Sequence, residues 1–318
     1  MSVRIFAVIF LFALSSLSPA RAQPFPNQPI KIIVAFGPGS GGDLLARMLA
    51  NQLQPELGTP IVVENRVGAL GQIATTALAR AKPDGYTLGM GSSSTHSTSQ
   101  FLTKNLPYDP LADFAAVGGL NSYTFILLVN AESGITTPEQ LVTAMKRKNG
   151  GFTGYGNASG RVGAAHFKKL AGLNTSEIAY KSSPDALVDL SAGRVDYVFT
   201  DVGSSKSFVE SGKLRPIAVM SDSRSSVLPN LPAIGETYPG FNFDNWGGLM
   251  APKGTPIEVI QVLNSALRKV LDKPDVKARM TAMGLEVKPS SPEELTELVQ
   301  KQHKAWGDAI LGAGIEPQ

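Results

Sequence analysis

The segment from Ile30 to Ala50 reads IKIIVAFGPGSGGDLLARMLA. An apolar, β-branched run, Ile30 to Phe36, feeds a glycine-rich turn, Gly37 to Gly42, and a helical pattern opens at Asp43. A strand, a glycine turn and a helix start in that order make an anion site. The N–H groups of the first helical turn have no partner inside the helix, and that end of the helix is positive. The turn GPGSGG also satisfies G-x-G-x-x-G, and Glu64 follows about twenty residues on, at the end of a second apolar run; this is the dinucleotide fingerprint. The rest of the chain decides between a pyrophosphate and some other anion.

The first 22 residues argue against a nucleotide. Arg4 supplies a positive start, Ile5 to Leu14 is almost wholly apolar, and Ala20-Arg21-Ala22 is a small-x-small cleavage site. That is a secretory signal peptide, with Gln23 the expected first residue of the exported protein. An apolar run of about ten residues is too short to span a bilayer, and no later run of eighteen apolar residues follows. Removing residues 1–22 takes away Arg4 and Arg21 and no acid, so the net charge falls from +3 to +1. There is no basic stripe interleaved with aromatics, so no nucleic acid is expected. Steering of an anionic ligand by net charge is weak, and recognition must come from local groups.

The chain has no cysteine and three histidines, His96, His166 and His303, without metal-site spacing. Neither disulfides nor a zinc site is expected, and no cofactor or metal. The histidines read as surface or packing residues, and Trp246 and Trp306 as core. About 296 residues remain after residue 22, enough for two domains with their own cores. Short β-branched runs at 30–36, 60–64, 86–91, 125–130, 177–180, 195–200 and 215–220 alternate with helical patterns at 42–56, 70–81, 137–148, 162–171, 184–192, 203–211, 256–271, 274–283 and 292–313. The alternation predicts an α/β protein with a mainly parallel sheet. Thr137-Pro138, Thr255-Pro256 and Ser291-Pro292 read as helix starts, and Gly172, Gly193, Gly212 and Gly284 as helix ends.

Two stretches read as crossings between lobes, Gly118–Tyr123 and Gly240–Trp246. They divide the chain into residues 1–22 (signal peptide), 23–122 plus 243–318 (lobe 1) and 123–242 (lobe 2). A chain that crosses twice leaves a ligand cleft between its lobes, with the two linkers as a hinge.

Seven stretches stand in order along the chain: PNQPIKIIVAFGPGSGGDLLARMLA from Pro26, PIVVENRVGALGQIA from Pro60, KPDGYTL from Lys82, LPYDPLADFAAVG from Leu106, SGKLRPIAV from Ser211, RSSVLPNLPAIGE from Arg224 and WGGLMAPKGTP from Trp246. In these the chain resembles the exported solute receptors of tripartite tricarboxylate transporters, the Bug or TctC-like proteins. The likeness covers nearly the whole length after residue 22. The resemblance implies a two-lobed, type II periplasmic binding protein, located in the periplasm. Such a receptor captures a small di-, tri- or aromatic carboxylate and passes it to integral-membrane transporter subunits. A monomer is expected. In this family the first ligand loop commonly carries two glycines after Pro and then Asp. Here Pro38-Gly39 match, Ser40 replaces the second glycine, and Asp43 keeps its place. The second loop corresponds to Tyr155–Arg161; it is shorter than usual, with Arg161 near the family's histidine position and His166 displaced.

The residues themselves make the same loops candidates. Phe36 and Pro38 offer an apolar wall, Gly39 and Gly41 offer backbone N–H groups without Cβ obstruction, and Ser40 offers a hydroxyl. Asp43 reads better as a helix-start acid than as an anion contact. Ser92 and Ser93 follow a strand and open on the same sheet edge, or form an ordinary hydroxyl-rich turn. Ser159, Gly160 and Arg161 read as a carboxylate clamp, or Arg161 as a solvated surface arginine. Tyr180 and Lys181 end one strand and Asp201 another, where cleft residues belong; Asp201 equally caps the helix that follows. Glu64 reads as fixing its own turn with Arg66. The expected function is reversible binding without catalysis. The alternative is an exported enzyme acting on a small anion, or a nucleotide-binding enzyme using GPGSGG; no G-x-S-x-G elbow supports a serine hydrolase.

Overall fold

The computed structural model describes residues 25–241 and 244–317; the expected signal peptide lies outside the described residues. Strand β1 (Ile30–Val34) leads into helix α1 (Gly41–Leu57), β2 (Ile61–Asn65), α2 (Gln72–Ala79) and β3 (Thr87–Ser92). A π-helical turn, Ser93–Thr98, runs into the short α3 (Ser99–Leu102), and β4 (Phe114–Tyr123) follows. The chain then forms β5 (Ile126–Asn130), α4 (Pro138–Lys148), β6 (Phe152–Tyr155), α5 (Ala158–Ala171), β7 (Ser176–Ala179), α6 (Ser183–Ser191), β8 (Tyr197–Thr200), α7 (Val202–Glu210) and β9 (Leu214–Val219). It closes with β10 (Asn245–Pro252), α8 (Ile257–Asp272), α9 (Pro274–Ala282), β11 (Leu285–Val287) and α10 (Pro292–Ala313).

The strands form two sheets. One has six strands in the order β11-β4-β10-β3-β1-β2, the other five in the order β7-β6-β8-β5-β9. Each has a parallel heart, β1 with β2 and β3, and β6 with β7 and β8. The expectation of a mainly parallel sheet needs correction, because β10 is antiparallel to β3 and β4, β11 to β4, and β5 to β8 and β9. The reason is topological. β5 and β10 enter their sheets directly after the chain has crossed from the other one, and neither arrives by way of a right-handed βαβ crossover.

Period-two burial places each sheet between helices. Ile30, Ile32 and Val34 pack with Leu45, Leu49 and Leu53 of α1 and Ile260, Leu263 and Leu267 of α8, while Ile33 turns to the other face with Ala74 of α2. In the second sheet Leu127, Val129 and Phe199 pack with Leu141 of α4 and Val162 and Phe167 of α5. Ile126, Leu128 and Val198 face Leu187 and Leu190 of α6. Helix α10 reaches both lobes. Leu295 and Val299 pack with Trp246, but Trp306 and Ile310 join the core of the second sheet. Lys169 on α5 donates to Gly312 O at 2.9 Å.

Local signals in the sequence explain most boundaries. Ser40 caps α1, its Oγ accepting from Asp43 N at 3.3 Å, and Gly58 ends that helix in the left-handed region at φ 65°. Thr137 and Ser291 cap α4 and α10 through Gln140 N and Glu294 N. The start of α8 differs from expectation. Pro256 holds the cap position, and Thr255 Oγ1 donates back to Pro252 O instead.

Candidate functional site

A narrow cleft, with about 50 Å³ of free space inside it, lies between the two sheets. Four helices start at its walls. Ser40, Gly41 and Gly42 begin α1, Asn157 caps α5, Ser183 begins α6 and Asp201 caps α7. The same sequence logic works at three of them: a strand ends, Ser40, Asn157 or Asp201 caps, and the helix runs away from the cleft; at α6 Ser182 holds the cap position but donates to Asp185 Oδ2. Each helix's first-turn N–H groups and positive dipole end stay behind.

The remaining wall is largely apolar, from Phe36, Leu45, Met90, Phe125 and Leu285. Tyr123, Asn121, Ser92 and Ser94 add polar atoms. Among the described lining residues Asp201 alone carries a formal charge. It is engaged as a cap: Oδ1 accepts from Ser204 N at 2.8 Å and Oδ2 from Ser204 Oγ at 2.7 Å. Burial, with the Asp201 carboxylate nearby, pushes the Tyr123 phenol up, so it stays a neutral hydroxyl. Asn121 Oδ1 is buried without a hydrogen-bond partner among the described residues.

The lobes touch across this cleft. Gly41 N donates to Ser204 Oγ at 3.1 Å. Ser94 Oγ accepts from Ser159 N at 3.2 Å and donates to Ser159 Oγ at 3.0 Å. Space is tight at the contact: a Cβ added at Gly203 would lie 2.9 Å from Gly41 Cα, and one at Gly37 would lie 2.7 Å from Ser182 Cβ.

The structure brings together Phe36, Ser40, Gly41, Ser92 and Asp201 of the sequence candidates at the cleft wall. The others stand elsewhere. Pro38 and Gly39 are exposed on the outer turn. Asp43 is buried behind that turn. Its Oδ2 accepts from Gly39 N at 2.9 Å, and its Oδ1 pairs with Asn65 Nδ2 at 2.8 Å and Arg47 Nε at 2.9 Å. Burial pushes its pKa up, but the Arg47, Gly39 and Asn65 donors outweigh that and hold it below the usual carboxylate range. Ser93 Oγ accepts from Trp246 N at 3.0 Å. Ser159 faces Ser94, and Gly160 lies against Phe199 O, 2.8 Å from where its Cβ would stand.

Arg161 lies outside the cleft. It is buried, with Nε 3.2 Å from Glu177 Oε2, beside the Tyr155 ring, in a separate depression shared with Lys168, Lys169 and Glu316. Tyr180 donates to Asp189 Oδ2 at 2.7 Å, and Lys181 is exposed. Glu64 is held by Lys31 at 2.7 Å and by Arg66.

Sequence reasoning passed over Leu45, Met90, Asn121, Tyr123, Phe125, Ser183, Gly247 and Leu285 as cleft-lining positions. For Asn121, Tyr123 and Phe125 a signal existed. A segment that crosses between lobes runs along the floor of the cleft, so its side chains line it.

The family model described as "Tripartite tricarboxylate transporter family receptor" matches residues 45–315. Among solved structures, Rpa4515 of R. palustris, determined with adipate, superposes with a TM-score of 0.89 at 29% identity, covering 92% of this chain and 100% of that one. The periplasmic binding protein BugD gives 0.87 at 31% identity, covering 92% and 100%. MatC from Rhodopseudomonas palustris, with bound malate, gives 0.85 at 29% identity, covering 90% and 100%.

Proposed function

Because the chain belongs to the tripartite tricarboxylate transporter receptor family, we propose that it captures a small carboxylate between its lobes by hinge closure. It then delivers the ligand to the integral-membrane subunits of such a transporter. The observation that carries this reading is the convergence of four helix N-termini on one cleft whose described lining residues include no lysine, arginine or histidine. Each helix end favours an anion by about 0.3–1 kcal/mol near the surface, and more where partly buried. Neutral N–H, hydroxyl and amide donors hold a carboxylate reversibly, which suits a carrier that must release its cargo. Relatives determined with adipate and malate support a carboxylate as the ligand class.

In this reading the N–H group of Gly42 and the side chains of Ser40, Asn157 and Ser183 take the carboxylate, directly or through water. The apolar wall takes the ligand's body. Residues 23–122 with 243–318, and residues 123–242, are the two moving bodies, except that the end of α10 carrying Trp306 and Ile310 travels with the second. The chain is exported to the periplasm behind residues 1–22, acts as a monomer, and binds without turning its ligand over. The dinucleotide reading is disfavoured because Glu64, which would grip a ribose, is already paired with Lys31 and Arg66.

The test is a thermal-shift screen of the chain from Gln23 against mono-, di-, tri- and aromatic carboxylates plus NAD, followed by calorimetry. A carboxylate that raises the midpoint, binds with unit stoichiometry and is recovered unchanged supports the proposal. Stabilisation by NAD alone overturns it.

A further inference from the structure

Two serines sit where each lobe completes a helix belonging to the other. In α1, Gly41 is the first helical residue, and its N–H has no acceptor within its own helix. Ser204, on the opposite lobe, supplies it: Ser204 Oγ accepts from Gly41 N at 3.1 Å while donating to Asp201 Oδ2 at 2.7 Å. In α5, Asn157 Oδ1 satisfies Gly160 N, which leaves the Ser159 N–H in the same orphan state. Ser94, from the first lobe, accepts it at 3.2 Å and donates to Ser159 Oγ at 3.0 Å. A hydroxyl has one donor and two acceptor sites, so both serines can do both at once. The arrangement is reciprocal: lobe 2 caps a helix of lobe 1, and lobe 1 caps a helix of lobe 2.

The Ser94 hydroxyl is held in place by its own turn. Ser94 O accepts from Thr98 Oγ1 at 3.1 Å and Ser99 Oγ at 2.5 Å. Tyr108 OH donates to Thr95 O at 2.8 Å. Trp246 bonds to Ser93 through its backbone N and to Ser97 through its indole N–H. The hydroxyl-rich run is thus mostly spent on itself, and Ser94 is the hydroxyl it extends to the other lobe. A buried side chain fixed in this way loses little freedom when the lobes meet.

We infer that reciprocal helix capping by Ser94 and Ser204 is the latch that holds the lobes closed, and that both act as positioning residues. This rests on the hinge closure proposed above. A buried hydrogen bond made only in the closed form shifts the closed-to-open ratio by about fivefold, so two shift it by more than tenfold.

The chain has no cysteine, which permits unique spin-label pairs. Asn51→Cys on α1 and Lys206→Cys on α7 are both exposed and report the lobe-to-lobe distance in the ligand-free protein. The parent is expected to show a short-distance population, and Ser94→Ala/Ser204→Ala to reduce its ratio to the long one at least tenfold. Circular dichroism confirms the fold, and either single variant, expected to lose about fivefold, serves if the double one does not fold. A short-distance population unchanged by the substitutions overturns the latch and leaves hinge closure standing. A single long distance in the parent, unaltered by the carboxylate panel, overturns hinge closure and the latch with it.

Discussion

A Cβ placed on Gly41 would stand 2.1 Å from Asp201 Oδ1, across the cleft and on the opposite lobe. No real contact is that short, and neither side has slack. Gly41 opens α1, and Asp201 is fixed by two bonds from Ser204. Gly41→Ala therefore keeps the lobes apart without disturbing either core. Its affinity for a carboxylate that the parent binds is expected to fall at least tenfold, while the thermal midpoint of the ligand-free protein stays within about 2 °C, the scale of a neutral surface change. Calorimetry beside a melting curve checks this, and retained affinity would show that binding does not require the contact seen here.

The network around Asp43 predicts an acid-side loss of stability. Burial opposes its ionisation, but Arg47, Gly39 and Asn65 hold the folded pKa below the ordinary value. The stabilisation is fully present above the unfolded carboxylate pKa of about 3.9 and is lost as pH falls through the lower folded value. Asp43→Asn is expected to cost about 1–3 kcal/mol at pH 7. Urea midpoints of parent and variant should converge as the pH drops below about 4. A gap that stays constant with pH counts against the charged network.

His96 makes a second, separate pH prediction. It is fully buried, its Nδ1 lies 2.8 Å from Thr95 Oγ1, and its Nε2 has no partner among the described residues. Burial, with His303 nearby, pushes its pKa down to about 3. Between about pH 6.5 and 3 the unfolded chain takes up a proton that the folded chain refuses, so folding weakens as pH falls. At pH 4.5 this is worth about 2–3 kcal/mol. The parent should lose that much more than His96→Gln between pH 7 and 4.5. Parallel stability curves for the two proteins would remove His96 from the acid response.

Arg161 separates packing from recognition. With its guanidinium on Glu177 and Tyr155, away from the cleft, Arg161→Ala is expected to lower stability by about 1–3 kcal/mol. Carboxylate affinity should change less than twofold. A tenfold loss of affinity with unchanged stability would place this arginine on the ligand after all.

The sequence reading reached β1 to β3, β5, β7 to β9 and the long helices, because period-two and period-3.6 patterns survive without tertiary information. It missed β4 and β10, and the reason lies in paired glycines. Gly118 and Gly119 in β4 resemble a linker, yet each is small for a contact: a Cβ would lie 2.5 Å from Asn264 Nδ2 at Gly118 and 2.7 Å from Ser290 Oγ at Gly119. Gly247 and Gly248 in β10 face Asn121 and Leu295 in the same way. β6 is four residues long and follows Asn149-Gly150-Gly151, which reads as a turn. At the site, helix-start residues such as Ser40 and Asp201 were legible because capping is local. Met90, Asn121 and Leu285 were not, because strand order alone decides that they meet.

Tyr123 and Asn245 are register partners on β4 and β10. Residues 124–244 therefore leave the first sheet and return to it on a single rung of one ladder. In construction terms the second lobe is a cassette inserted into what would otherwise be a β-hairpin. A relative's lobe spliced in at those two positions would meet the same pair of strand ends. It would bring its own versions of Asn157, Ser183 and Asp201 to a first lobe left uncut. Half of the recognition surface is thus exchangeable as one contiguous stretch of sequence, a route by which such a scaffold can change its ligand without rebuilding its sheet.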